Sequence, residues 1–114
     1  MNIIVIDDSI ERHEQIKMLL TEENVVSAIN ALDGIEMLQS QEWDMVFLDH
    51  DLGGKIDGDV VARNMVTHSL SLDAQVIVQS VNPVGAKRIE DILAKTHKVM
   101  RIAFPQMIEA LRKG

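Results

Sequence analysis

The chain has 114 residues, 46% of them apolar, no cysteine and a formal net charge of −7. That length is near the commonest domain size, so one core suffices, while the lack of Cys excludes disulfides, thiolate metal ligands and a Cys nucleophile. Trp43, Phe47 and Phe104 are the only aromatic residues, too few for a base-stacking platform of the single-strand binders.

In chain order, Ile3-Ile4-Val5-Ile6 is the first apolar run, within residues 2 to 6, and it ends in Asp7-Asp8. Short runs rich in Val and Ile are the pattern of strands buried on both faces. A weak helical stripe from Ile10 to Leu20 follows, then a strand over residues 25 to 29 and a second weak stripe from Leu32 to Leu38. The third strand, Met45-Val46-Phe47-Leu48, runs into Asp49-His50-Asp51-Leu52-Gly53. Val60, Val61, Asn64, Met65 and His68 keep helical spacing, which places His68 on a packed stripe. Strands over 76 to 78 and 99 to 102 frame a helix marked by Ala86, Ile89, Ile92 and Leu93, and Met107, Ile108 and Leu111 mark the last helix. His97, near a helix end, reads as a surface residue.

Strands alternating with helices predict a single α/β domain over residues 1 to 114, a doubly wound five-stranded parallel sheet with flanking helices, because parallel strands need crossover connections. No apolar run approaches membrane-spanning length and the N-terminus leads directly into a strand, so a cytoplasmic protein is expected. Charge is uneven. Residues 1 to 59 carry 14 acids and 3 bases, residues 60 to 114 carry 4 acids and 8 bases. General DNA or RNA affinity is not expected of the acidic half.

Ligands of open α/β sheets sit beyond the carboxyl ends of the strands, and both Asp7-Asp8 and Asp49 lie at such ends. Two like charges about 4 Å apart repel by roughly 4 kcal/mol at an effective dielectric of about 20, so a proton or a cation must intervene. An all-oxygen ligand set of Asp7, Asp8 and Asp49 suits Mg²⁺, or Mn²⁺, better than Zn²⁺. The simpler alternative is that Asp7 and Asp8 cap the next helix and Asp51 shapes a turn. His50 is either a general acid or base or an outward-facing loop residue. Asp57-Gly58-Asp59 reads as turn and capping chemistry before the third helix. In Ser80-Val81-Asn82-Pro83-Val84-Gly85, Asn82 is a good N-cap and Pro83 a favoured first helical residue. A helix start on the acidic rim is a phosphate cradle in outline, with Ser80, Asn82, Gly85 and Lys87 as candidate phosphate-binding residues.

These residues resemble response-regulator receiver domains over essentially the whole chain, which implies a flavodoxin-like fold. Ile3 to Asp8 look like the first strand with its acidic pair, Asp44 to Asp49 like the third strand with its phosphoacceptor, and Ser80 stands where receivers carry Thr or Ser. Receivers carry a Lys before a Pro after the fifth strand, and that Lys contacts the phosphoryl group. Here Phe104 precedes Pro105, and Phe cannot supply a charge-assisted hydrogen bond. The Asp-His-Asp-Leu-Gly and Ser-x-Asn-Pro-x-Gly motifs are similar to those of the cyclic-phosphate processing receiver domains, a receiver-derived family proposed to act on cyclic phosphate ends in RNA metabolism. That family usually has His before the Ser, where this chain has Gln79, a residue that can hydrogen-bond but not shuttle a proton.

The resemblance implies a phosphoester or nucleotide substrate, with RNA ends among the candidates. Asp7, Asp8 and Asp49 would hold the divalent ion, and His50, with Asp49 and Asp51, would carry the chemistry. Two other functions compete with this phosphoesterase. One is a stand-alone receiver phosphorylated at Asp49, whose partner would be a separate protein; the other is a non-catalytic interaction module.

Overall fold

All five apolar runs are strands in the computed structural model, which describes residues 1–114. The elements are β1 (Asn2–Ile6), α1 (Ile10–Leu19), β2 (Asn24–Ala28), α2 (Ala31–Ser40), β3 (Met45–Leu48), α3 (Gly58–Thr67), β4 (Gln75–Val78), α4 (Pro83–Leu93), β5 (Lys98–Arg101) and α5 (Phe104–Arg112). Strands β2, β4 and β5 begin one residue before the apolar runs. Their first residues, Asn24, Gln75 and Lys98, are polar yet lie in register with Asn2, Met45 and Gln75, because ladder hydrogen bonds use backbone groups.

The sheet is wholly parallel in the order β2-β1-β3-β4-β5. From β1 the chain winds outward to β2, then returns to β3 and winds the other way, so strand order reverses between β1 and β3. Alternate side chains feed two cores, as a period of two requires. Ile4, Ile6, Val46 and Leu48 pack against Leu38 of α2, Val61 and Met65 of α3, and Ile89 and Leu93 of α4. Ile3, Val5 and Phe47 on the opposite face meet Ile16 of α1 and Met107 and Ile108 of α5. Burial on both faces explains why these strands read as unbroken apolar runs.

Helix starts gather at the carboxyl ends of the strands. Ser9 caps α1 by accepting from the Arg12 N–H at 3.3 Å, Asn30 caps α2 by accepting from Asp33 at 2.8 Å, and Asn82 caps α4 by accepting from Gly85 at 3.0 Å. Each cap satisfies an N–H that the helix itself leaves open.

The roles expected for two histidines are reversed. His68 ends α3 as its C-cap and is exposed. His97 is buried, its Nε2 2.8 Å from the Leu70 carbonyl oxygen and its Nδ1 2.8 Å from the Thr96 hydroxyl. The Leu70 carbonyl in the α3–β4 connection and the neighbouring Thr96 hydroxyl hold that ring inward, whereas His68 stays exposed at the end of α3.

Candidate metal and phosphate site

Strand register brings the acids together. Ile6 is level with Leu48 in neighbouring strands, so Asp7 and Asp49 leave the sheet side by side at its switch point. The Asp7 N–H donates to the Ala28 carbonyl at 3.1 Å and the Asp49 N–H to the Ile6 carbonyl at 3.0 Å. Asp7 and Asp49 are buried and Asp8 is exposed, and one carboxylate oxygen of each lies within 4.8 Å of the others. Gly53 and Gly54 hold φ of +70° and +74°, turning the loop after β3 so that a Cβ on Gly53 would stand 3.6 Å from Asp8 Oδ2.

Three neighbours temper this negative charge. Arg12 Nη1 lies 3.4 Å from Asp7 Oδ2 and 3.7 Å from Asp49 Oδ2. Gln79, fully buried, donates its amide to Asp7 Oδ2 at 3.0 Å, and the Ser9 N–H donates to Asp7 Oδ1 at 2.8 Å. His13 Nε2 sits 2.6 Å from the Asp7 carbonyl oxygen. Burial still raises the Asp7 pKa above the ordinary value, against the pull of Ser9, Arg12 and Gln79. Burial and then the charge of Asp7 push Asp49 up to about 6, with Arg12 and Ser80 acting the other way. A carboxylate held in a pocket that disfavours its charge is poised for a cation.

Arg12 was not singled out from the sequence. The stripe of α1 is weak, and only the Ser9 cap, which fixes where the helix begins, aims position 12 back over the strand ends. Its guanidinium carbon also lies 5.7 Å from the centre of the Phe104 ring, a cation–π arrangement. An Arg on α1 thus brings positive charge to a site whose chain has Phe104 where a receiver Lys would stand.

The Asp7, Asp8 and Asp49 set fits a hard divalent cation. Its donors are all oxygens, and Asp49 Oδ1 is buried without a hydrogen-bond partner, which is costly unless a cation or proton meets it. Mg²⁺ or Mn²⁺ matches that donor chemistry.

The turn after β4 supplies the second wall. Ser80 Oγ accepts from the Asn82 N–H at 3.1 Å, and Asn82 Nδ2 reaches Asp51 Oδ1 at 3.5 Å. Gly85, a candidate phosphate-binding residue, instead admits a side chain: a Cβ there would stand 2.4 Å from His50 Cγ. Its N–H is already given to Asn82. Lys87 runs along α4, 2.9 Å from Asp91 and 3.5 Å from Glu90, and those acids, Asp91 first, raise its pKa. It is not brought to the acids at the strand ends.

His50 is 5% exposed, so it is not an outward-facing loop residue. Its Nδ1 lies 2.8 Å from Asp51 Oδ1, and this hydrogen bond is the main reason the exposed Asp51 carboxyl is held below its ordinary pKa. The other ring nitrogen, Nε2, is 3.8 Å from Asp59 Oδ1. His50 therefore converges with Asp57 and Asp59, a group separate from Asp7, Asp8 and Asp49. Two hollows flank the rim, one of about 580 Å³ bordered by Ser9, Arg12 and Phe104, the other of about 350 Å³ bordered by Ser80, Pro83 and Arg101.

No helix is long and apolar enough to cross a membrane. Among solved structures, the chain is similar to the phosphorylated cyanobacterial phytochrome response regulator RcpA, at 17% identity and a TM-score of 0.76 over 98% of this chain and 89% of that one. It is likewise similar to the Thermotoga maritima response regulator TrrA in complex with Mg²⁺ and BeF, at 23% identity and a TM-score of 0.73 over 99% and 98%. The response regulator domain of Thermotoga maritima CheB matches at 18% identity and a TM-score of 0.71 over 99% and 94%. At such identities these likenesses establish the receiver fold. Comparison with curated proteins finds no match. A family model matches residues 2–95, which include both motifs and every side chain of the acidic pocket, and the chain belongs to the cyclic-phosphate processing receiver domain family.

Proposed function

We propose that the domain is a divalent-metal-dependent phosphoesterase that opens cyclic phosphate ends of RNA or nucleotides, working in the cytoplasm. The observation that carries this reading is the buried, unpartnered Asp49 oxygen in a three-carboxylate pocket that faces Arg12. Asp7, Asp8 and Asp49 would hold Mg²⁺, or Mn²⁺, directly or through water. When bound, such an ion neutralises phosphate charge and lowers the pKa of a coordinated water.

The chain's own residues orient the phosphate. Arg12, braced on Phe104, offers guanidinium donors to a phosphoryl oxygen, and the Ser80 hydroxyl offers another. Asn82 and Asp51 tie the start of α4 to the end of β3, fixing the far wall. His50 acts through Asp51 in this reading, in place of the direct proton donation expected from sequence, because its free nitrogen faces Asp59. Water adds to phosphorus, one ribose oxygen–phosphorus bond breaks, and the proton lost by water ends on the ribose oxygen.

A second reading, phosphate acceptance by Asp49 from a partner, is favoured by the position of Asp49 at the end of β3 in a receiver frame. Turnover of a nucleoside 2′,3′-cyclic phosphate with Mg²⁺, compared among the unmodified chain, Asp49→Asn and Arg12→Ala, separates the two. Loss of turnover in Asp49→Asn and a rise in KM in Arg12→Ala support the phosphoesterase. Absence of turnover, with Asp49 taking phosphate from a small phosphodonor, supports the receiver reading.

A further inference from the structure

We propose a second cation site, made by His50 Nε2, Asp57 and Asp59 at the start of α3, with a preference for nitrogen-seeking ions such as Zn²⁺ over Mg²⁺. It uses none of Asp7, Asp8, Asp49 and Arg12, shares only His50 and Asp51 with the proposed phosphoesterase site, and does not rest on that reading.

The His50 ring is clamped. Gly85 lies against one face, where a Cβ would be 2.4 Å from His50 Cγ, and Gly58 presses α3 onto the end of β3, where a Cβ would be 2.9 Å from His50 Cα. The Gly58 N–H donates to the His50 carbonyl at 2.7 Å. With the residue 5% exposed, the ring has little freedom to turn away.

Asp51 Oδ1, 2.8 Å from Nδ1, is an acceptor, so Nδ1 is the donor there and Nε2 is the ring nitrogen left to face α3. Nε2 is buried and has no hydrogen-bond partner; it faces Asp59 Oδ1 at 3.8 Å, and a ring nitrogen of His50 and one oxygen each of Asp57 and Asp59 lie within 4.8 Å of one another. A ring nitrogen and two carboxylates gathered this closely form a pocket that favours positive charge between them. Asp59 Oδ1, 3.8 Å from Nε2, lies beyond the separation of about 3 Å at which a hydrogen bond would join them directly. Two ligands that each sit about 2.0–2.2 Å from a shared tetrahedral ion are about 3.3–3.6 Å apart, so Asp59 Oδ1 needs to close by only a few tenths of an ångström to share one with Nε2.

The acids are available for the role. Asp57 occupies the N-cap position of α3 but makes no capping hydrogen bond, so the capping expected of it is not what its side chain does. Asp59 turns Oδ2 toward Arg63 at 3.3 Å and leaves Oδ1 facing His50. Asp51 behind Nδ1 completes the carboxylate–histidine–metal arrangement that fixes ring tautomer and strengthens the ligand nitrogen. One imidazole and two carboxylates suit Zn²⁺, Mn²⁺ or Co²⁺, and the nitrogen ligand disfavours Mg²⁺.

The test is calorimetric titration of the full chain with Zn²⁺ in excess Mg²⁺, with Co²⁺ absorption reporting the ligand field. The unmodified chain and Asp49→Asn should bind one Zn²⁺ equally well, while Asp57→Asn and Asp59→Asn weaken binding by about tenfold or more. Those two positions are partly exposed, so the variants should fold, as circular dichroism will check; His50→Gln is the more disruptive third variant. Failure of Zn²⁺ to bind, affinity unchanged in Asp57→Asn and Asp59→Asn, or binding removed by changing exposed His68 to Ala would each overturn the proposal. Since Asp49→Asn disables only the phosphoesterase pocket, the two readings fail separately.

Discussion

Arg12 stands between Asp7 and Phe104, its Nη1 3.4 Å from the Asp7 carboxylate and its guanidinium carbon 5.7 Å from the ring centre. Its side chain is 24% exposed, so it is partly screened. Replacement by Ala leaves Asp7 and Asp49 without their cation, and a loss of about 1–3 kcal/mol is expected near neutral pH, below the cost for a fully buried pair. Urea unfolding with and without Mg²⁺ should show that loss partly restored by the ion.

Phe104→Lys places an ammonium where receivers carry one and removes the platform under Arg12. Labelling of Asp49 by a small phosphodonor, followed by mass spectrometry, should rise relative to the unmodified chain, with turnover of a cyclic phosphate reduced. The lost cation–π contact costs about 0.5–1 kcal/mol, so the variant should remain folded.

Acidity of the pocket predicts a pH dependence of metal-free stability. The Asp49 pKa is raised from an ordinary 3.8 to about 6, so its contribution to stability is fully present below about pH 4 and is lost as pH rises through about 6. Asp7 shifts in the same direction. Asp51 shifts downward, so its contribution is lost only as pH falls below the ordinary carboxylate range. For Asp49 the shift corresponds to roughly 3 kcal/mol. Denaturation in chelator at about pH 4 and pH 7.5 should show the decline in the unmodified protein and a smaller one in Asp49→Asn, whose amide has no proton to lose.

Gly85→Ala drives a methyl group into the His50 ring. Overpacking of this kind costs about 1–3 kcal/mol, and thermal unfolding should show it. Gly54→Ala, where nothing lies within 4 Å of the added carbon, is the comparison: its cost comes from φ of +74°, not from contact.

The frame was legible because β1 and β3 are buried on both faces and read as Val and Ile runs that stop at acids. Asp7, Asp8 and Asp49 could be placed on one rim from parallel topology alone. What escaped depended on contacts between distant segments. Arg12 gave no signal on a weakly patterned helix, and Gly85 fits a close approach, but by the His50 ring. His97 turns inward for the Leu70 carbonyl, a partner 27 positions earlier. Lys87 was the reverse case: Asp91, four residues on, was visible as a helical ion pair.

The most direct test is ³¹P NMR of a nucleoside 2′,3′-cyclic phosphate incubated with Mg²⁺ and the unmodified chain. The phosphoesterase reading predicts that the cyclic resonance gives way to a monoester resonance, and that Asp49→Asn leaves it unchanged. A cyclic resonance that persists with the unmodified, Mg²⁺-loaded protein would contradict it.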